Sequence, residues 1–284
     1  MSAFTAAGST QNVTDAGGTN RPPILETHSL TRTFGDVTAA ADVTFAIQNG
    51  ESFGLLGPNG AGKSTVIKML TTLLPPSGGS ATIAGLDIVR QASEVRRVIG
   101  YVPQAMSSDG TLTGYENLLI FAKLYRLPRV VRQDRIRQAI ELMGLGDAAH
   151  RLVRTYSGGM VRRLEIAQSV LHRPPLVFLD EPTLGLDPVA RQTVWNYVEE
   201  LRRDFGTTIL MTTHYMEEVE EHCDRVAIMY AGRIAVMGSP ASLRASVGPE
   251  ATLEDVFTHY ASAPLSHEGQ EGGFREAASD RRTR

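Results

Sequence analysis

Cysteine is almost absent: Cys223 stands alone in 284 residues. That excludes an internal disulfide, and a reducing compartment fits. Also missing is any run of about 18 apolar residues, the length a membrane-crossing helix needs. The N-terminus has no basic-then-apolar secretory segment. Basic charge is not in excess, with 28 Lys and Arg against 31 Asp and Glu and a formal net charge of −3. The overall basic footprint of a nucleic-acid binder is therefore missing, and no nucleic-acid partner is expected. No internal repeat is found. What remains is an ordinary globular composition, 42% hydrophobic, long enough for one large domain or two small ones. The expectation is a protein made and kept in the cytoplasm.

Against this background one stretch stands out, Gly57-Pro58-Asn59-Gly60-Ala61-Gly62-Lys63-Ser64-Thr65. It fits the phosphate-binding pattern G-x-x-x-x-G-K-[ST] in full. Wrapping a polyphosphate in backbone N–H groups requires side chains to be out of the way, which the glycines achieve. Lys63 supplies a point charge for the outer phosphates, and Ser64 offers a hydroxyl to Mg²⁺. Val66, Ile67, Leu70 and Leu73 continue as one apolar helical face, so the loop sits at a helix N-terminus that favours an anion. Val43, Phe45 and Ile47 alternate upstream, and Phe53 to Leu56 leads in. That is the strand–loop–helix context the pattern needs.

The rest of the chain reads in order. Residues 1–22 and 262–284 are polar and aperiodic and are expected to be disordered tails. The segment 24–47 is strand-rich, turning at Phe34-Gly35-Asp36. Phe34 is either a stacking platform for an adenine ring or a core aromatic beside a turn. Short strands are expected at 81–83 and 87–89, and another at 98–102, ending at Pro103-Gln104. Gln104 then faces a bound nucleotide from a strand end or is a solvated loop residue. Helices are expected at 115–125 and 132–143, within a helical insert over about 105–160. The arginines of that segment read as a solvated face.

Ser157-Gly158-Gly159 opens another helix, with Ser157 as its cap and the N-terminus left bare for an anion. Leu176 to Leu179 is an unbroken apolar run suited to a strand buried on both faces. It ends in Asp180-Glu181. Two adjacent carboxylates there are costly unless a cation or substrate occupies the site, so Asp180 is assigned to Mg²⁺ and Glu181 to polarising a water. Asp187 caps the next helix, with Pro188 at its first position. A further strand at 208–211 delivers His214. A hairpin turns at Ala231-Gly232, and a short last helix begins at Thr252.

Taken together, Gln104, Tyr156 to Met160, Asp180-Glu181-Pro182, Gly185-Leu186-Asp187 and His214, in that order, resemble the nucleotide-binding subunit of ATP-binding cassette (ABC) transporters. The resemblance covers roughly residues 24–240, within an ATP-binding domain expected at 24–254. Asp187-Pro188 and Thr213 to Glu218 look like its drug and polysaccharide exporter branch, and Leu253 to Phe257 is similar to that branch's drug-resistance ATPases. Phe34 stands where Tyr is usual, and Met160 where Gln is common.

The resemblance implies an α/β fold of the P-loop NTPase ABC type, with a mixed-sheet core, an antiparallel β subdomain and the inserted helical subdomain. It implies an ATPase powering export of a drug or other small hydrophobic compound, with ATP and Mg²⁺ as cofactors. It further implies a homodimer meeting head to tail, in which Ser157, Gly158 and Gly159 close on ATP held by the other copy. Glu181 would be the general base. His214 would contact the γ-phosphate, Gln104 would complete the Mg²⁺ shell with Ser64 and Asp180, and Asp187 would link the two sites. The partner would be a separate transmembrane permease, which places the chain peripherally on the cytoplasmic face of the membrane. Ala105-Met106 with the apolar side of Leu118, Leu119 and Phe121 are the docking contacts this implies, the alternative being that these residues, Leu118 and Leu119 above all, only pack the insert's own core. The competing reading is a soluble cassette ATPase acting on DNA or ribosomes. The single cassette and the ordinary insert argue against it.

Overall fold

Alternating apolar residues from Ile24 onward pair two long strands, β1 (Leu25–Phe34) and β2 (Val37–Ile47), into an antiparallel hairpin around Gly35-Asp36. The computed structural model describes residues 22–262. The tails expected at 1–22 and 262–284 lie outside those residues, apart from Pro22 and Ser262. β1 also pairs with β4 (Gly78–Ile83), and β4 with β5 (Leu86–Asp87), giving a four-stranded antiparallel sheet in the order β2-β1-β4-β5.

The second sheet has six strands. β3 (Ser52–Leu56), β6 (Ile99–Val102), β7 (Leu176–Asp180), β8 (Thr208–Thr213), β9 (Arg225–Tyr230) and β10 (Arg233–Gly238) lie in the order β10-β9-β3-β8-β7-β6. All neighbours are parallel except β9 and β10, which form the expected hairpin. Every residue of β3, β7 and β8 is buried, as parallel strands covered on both faces require.

Two apolar cores flank this sheet. One lies against the four-stranded sheet and α1 (Lys63–Leu70), with Phe45 stacked on Phe53 at 5.2 Å. The other lies under α3 (Gly114–Leu124), α4 (Arg129–Leu142), α5 (Gly158–Val170) and α6 (Pro188–Phe205). No helix of the described residues is long and apolar enough to cross a membrane.

Several expectations shift. Val98 is not a strand residue but closes α2 (Ala92–Val98). Val89 is in a turn, because the Asp87 carboxylate accepts from the Val89 and Arg90 N–H groups and bends the chain. α4 starts three residues earlier than expected, directly after Pro128, whose φ suits a helix start. Three short helices escaped the sequence: α2, α7 (Met216–His222) and α8 (Pro240–Val247). The last helix, α9 (Leu253–Ser262), begins where expected and runs longer. Leu118 is fully buried, and Leu119 and Phe121 pack against the core. They fill the insert, and the exposed apolar side chains of α3 are Ile120 and Leu124.

One buried polar group ties the helical layer to the sheet. His172 follows α5, stacks on Tyr125 at 3.8 Å, and donates from Nε2 to the Ile99 carbonyl at 3.0 Å. Its Nδ1 is buried without a partner. Burial pushes the imidazole down to about 4, so the folded protein holds it neutral while the unfolded chain protonates near 6.5. Unfolding therefore takes up a proton below that value, and stability falls as pH drops from about 6.5 to about 4. Between pH 7 and 4.5 this group is expected to remove about 2 kcal/mol, at roughly 1.4 kcal/mol per pH unit. Denaturant titrations at the two pH values should show a smaller acid loss in His172→Gln by that amount. An identical loss in both proteins would contradict it.

Candidate active site

The sheet order lines up the candidate residues. In the neighbouring strands β3, β8, β7 and β6, the carboxyl ends deliver the phosphate loop, His214, Asp180-Glu181 and Gln104 in turn. Ligands of open parallel sheets sit at this edge. The register places Leu56 beside Thr213 and Thr212 beside Asp180.

The loop from Gly57 through Pro58, Asn59, Gly60 and Ala61 to Gly62 leads straight into α1, with Lys63, Ser64 and Thr65 in its first turn. Its glycines are needed for space. A Cβ on Gly57 would lie 2.3 Å from the Met229 carbonyl oxygen, and one on Gly62 would lie 2.3 Å from that of Ala39, at a φ of +101°. The loop is thus wedged between β9 and β2 and ends at the N-terminus of α1, a position that favours an anion.

Lys63 is buried, with its Nζ donating to the carbonyls of Gly57 at 2.6 Å and Pro58 at 3.1 Å. The same Nζ is 3.8 Å from Glu181 Oε1. Burial lowers its pKa from the usual lysine value, and Glu181 and Asp180 act the other way.

Asp180 and Glu181 are buried at the end of β7. Ser64 Oγ lies 3.5 Å from Asp180 Oδ1. A hydroxyl and a carboxylate oxygen beside a phosphate loop are hard donors that fit Mg²⁺, which takes one or two protein oxygens and completes its shell with phosphate and water. Accordingly, no group of three or more acidic, His or Cys ligands exists among the described residues.

Glu181 sits at φ +49°, a left-handed conformation that a non-glycine residue holds only under local constraint. The constraint is Thr212: its carbonyl and its Oγ accept from the Glu181 N–H at 3.1 and 3.0 Å. The same hydroxyl donates to Asp180 Oδ1 at 2.6 Å. One side chain therefore holds the Asp180 carboxylate and the Glu181 main chain. His214 Nδ1 is 3.5 Å from Glu181 Oε1 and is buried without a hydrogen-bond partner. Gln104 Nε2 donates to Glu181 Oε2 at 3.3 Å. Gln104 thus faces the site and is not merely a solvated loop residue.

Sequence reasoning missed Thr212 and Glu218. Glu218, buried in α7, accepts from Thr183, from Thr213 at 2.7 Å and from the Trp195 indole at 3.4 Å. Thr213 Oγ in turn accepts from the Tyr215 N–H at 3.0 Å. Glu218 thereby joins the segment after Glu181 to the segment holding His214. An acidic residue four positions after His214 was the only local trace.

Ser157, Gly158, Gly159 and Asp187 form a second cluster. Ser157 Oγ caps α5 by accepting from Met160 N–H at 3.3 Å, and Asp187 caps α6 by accepting from Ala190 N–H at 2.9 Å. A Cβ on Gly159 would lie 2.9 Å from Ala190 Cβ, and one on Gly158 would lie 3.5 Å from Leu186 Cδ2. The two helix starts are therefore packed together, and Ser157, Gly158 and Asp187 are exposed. Phe34 is 46% exposed, so it is not a core aromatic, and the Arg32 guanidinium lies 4.6 Å over its ring. Among the described residues, no hydrogen bond or ion pair joins Phe34, Ser157, Gly158, Gly159 or Asp187 to Lys63, Asp180 or Glu181.

Comparison with known proteins gives a consistent result. The family profile described as "ABC transporter" matches residues 40–184. The chain is 44% identical over 224 residues to the daunorubicin/doxorubicin resistance ATP-binding protein DrrA of Streptomyces peucetius, covering 79% of this chain and 68% of that one. It is 37% identical over 231 residues to the linearmycin resistance ATP-binding protein LnrL of Bacillus subtilis, covering 81% and 74%. Among solved structures, the ATP-binding subunit of an ABC transporter superposes with a TM-score of 0.75 at 30% identity, covering 84% of this chain and 99% of that one.

Proposed function

Because this chain belongs to the ABC transporter family, as an ATP-binding and ATP-hydrolysing subunit with the family's ATPase fold, we propose the following working site and partners for it. The observation that carries the reading is the alignment of four strand ends. These bring a full phosphate loop, two constrained carboxylates, a histidine and a glutamine to one sheet edge.

Lys63 exchanges the Gly57 and Pro58 carbonyls for β- and γ-phosphate oxygens. The loop from Gly57 to Thr65 donates its backbone N–H groups to the same phosphates. Ser64, Asp180 and the Gln104 amide hold Mg²⁺, which when bound neutralises developing phosphate charge. Glu181 takes a proton from a water whose oxygen attacks the γ-phosphorus. The bond from that phosphorus to the bridging oxygen breaks, and ADP leaves with the electron pair. His214, with its unpartnered nitrogen, contacts the γ-phosphate and the attacking water. Phe34 stacks on adenine.

The site residues lie in two clusters, and we assign the second to a second copy of the chain. In a head-to-tail homodimer, Ser157, Gly158 and Gly159 of one protomer close on the ATP held by the other, with Asp187 between the sites. We assign residues 24–254 to the ATP-binding domain, with the helical insert at about 105–160. The cargo is a drug or other small hydrophobic compound, in keeping with the resistance proteins the chain is similar to. Its transport needs a separate transmembrane permease, which holds the subunit at the cytoplasmic face of the membrane.

The docking surface is the exposed turn Ala105-Met106 with Ile120 and Leu124. Met106 is 55% exposed, and an adaptable side chain suits such a surface. Met106→Asp is expected to leave ATP binding by the subunit within about twofold while membrane association and drug efflux fall about tenfold or more, as for loss of an interface anchor. Membrane fractionation and efflux assays in cells carrying the permease gene measure this. Undiminished efflux would remove this face from the reading.

A further inference from the structure

The loop that carries Gln104 is held from beneath by a buried ion pair. Residues 104–107 are exposed, yet Arg162 and Glu165, directly below them in α5, are each 2% exposed. Arg162 Nη1 donates to the Pro103 carbonyl at 2.7 Å and to Glu165 Oε2 at 3.0 Å, and Nη2 donates to the Gln104 carbonyl at 2.9 Å. Glu165 Oε1 accepts from the Ser107 N–H at 2.5 Å and from its hydroxyl at 3.3 Å. Both ends of the five-residue turn are thereby fixed to one helix. A buried ion pair is a poor source of net stability, since well-packed apolar residues often do as well. What it does supply is a defined geometry, because a planar guanidinium serves two carbonyls and a carboxylate at once.

That helix is the one whose first turn carries Ser157, Gly158 and Gly159. Arg162 lies five residues beyond Ser157, about 7.5 Å along a rigid helix at 1.5 Å per residue. Gln104, at the other end of the clamp, hydrogen-bonds to Glu181. We propose that Arg162 and Glu165 are positioning residues that couple the two nucleotide sites of the dimer. The pair makes the Gln104 turn of one ATP site move as a unit with the segment that closes on the other ATP. The inference rests on the two-cluster site proposed above and adds residues that no motif in the sequence points to. When the Ser157 turn is drawn onto the partner's nucleotide, the Gln104 amide is brought to bear on Glu181 in its own site, and hydrolysis at one site becomes sensitive to occupancy of the other.

The test uses Arg162→Lys in the full-length protein. Lysine keeps a cation beside Glu165, so no buried charge is orphaned, but it is shorter and puts one nitrogen where the planar fork reaches Pro103 from Nη1 and Gln104 from Nη2. Melting temperature and ATP affinity should stay close to those of the parent. The kcat for ATP should fall about tenfold, the size of losing one charge-assisted hydrogen bond, and the Hill coefficient for ATP should fall toward 1. Gln104→Ala should lower kcat as well, and the double variant should be no worse than Gln104→Ala alone, because Arg162 acts through that turn. Glu165→Gln should repeat the loss of cooperativity with smaller effect on kcat. An unchanged Hill coefficient in Arg162→Lys, or strictly additive losses in the double variant, would overturn the coupling and leave the site assignment intact. Unchanged kcat in Gln104→Ala would overturn both.

Discussion

Glu181→Gln is expected to bind ATP and turn it over at least about 10²-fold more slowly, the span general-base removal covers. The geometry isolates the effect to basicity. Glutamine has the volume of glutamate and keeps an acceptor oxygen, and the strained backbone at φ +49° is held by Thr212 through the main-chain N–H, not the side chain. Gln104 donates to Glu181 Oε2 at 3.3 Å and His214 lies 3.5 Å from Oε1, and the new amide keeps an acceptor oxygen on one side while the Gln104 amide can turn to accept on the other. The substitution also removes a negative charge 3.8 Å from Lys63. Removing a buried anion that faces a polyanionic ligand cannot weaken that ligand's electrostatic attraction to Lys63, so affinity should hold or rise. With binding retained and hydrolysis blocked, the dimer proposed above should persist in ATP and be visible as a doubled mass by size-exclusion chromatography with light scattering. A Glu181→Gln protein with parental turnover would move the base elsewhere in the site.

How much of this site the sequence disclosed depended on how local the signal was. The phosphate loop, the Ser157 cap, the Asp187-Pro188 start and the buried run ending in Asp180-Glu181 are each written within a few consecutive residues, so periodicity and capping chemistry located them. Val98 was misplaced because it continues the apolar run of Ile99 to Val102. Only the contact of Val95 with the core shows that a helical turn precedes the strand. The short helices α7 and α8 carry too few turns for a period to register, and tertiary packing makes them. Thr212 and Glu218 were out of reach for a different reason. Their roles are across-strand and across-loop hydrogen bonds, and nothing in a neighbouring residue marks a threonine as the one that holds the Asp180 carboxylate and the Glu181 main chain. The clamp of Arg162 and Glu165 is of the same kind. Its two members are one helical turn apart, a spacing common on solvated helix faces, whereas the structure buries both.

Lys63→Ala and His214→Ala should separate binding from chemistry. Lys63 is 5% exposed, and burial already weakens its hold on its proton. A cation kept there at such cost is matched to a strongly anionic ligand, and a hydrogen bond from a charged donor is worth about 1.5–3 kcal/mol net. Its loss corresponds to roughly 10- to 100-fold in ATP affinity at 1.4 kcal/mol per decade. The deficit should be larger than this average, because Glu181, 3.8 Å from the Lys63 ammonium, would then face the phosphates without that cation. His214 is different. Its imidazole is 30% exposed at the edge of the site and touches Glu181 at 3.5 Å without a hydrogen bond. Nothing in that geometry makes it a main holder of the ground-state nucleotide, but it borders the place where a water must lie beside Glu181. His214→Ala should therefore lower kcat about 10²-fold or more, within the range of positioned proton-transfer groups, while ATP affinity changes by less than about threefold. Calorimetric titration with a non-hydrolysable ATP analogue, paired with steady-state turnover, measures both quantities in both proteins. Equal affinity losses in the two variants would contradict this division, and so would a Lys63→Ala protein that binds as the parent does.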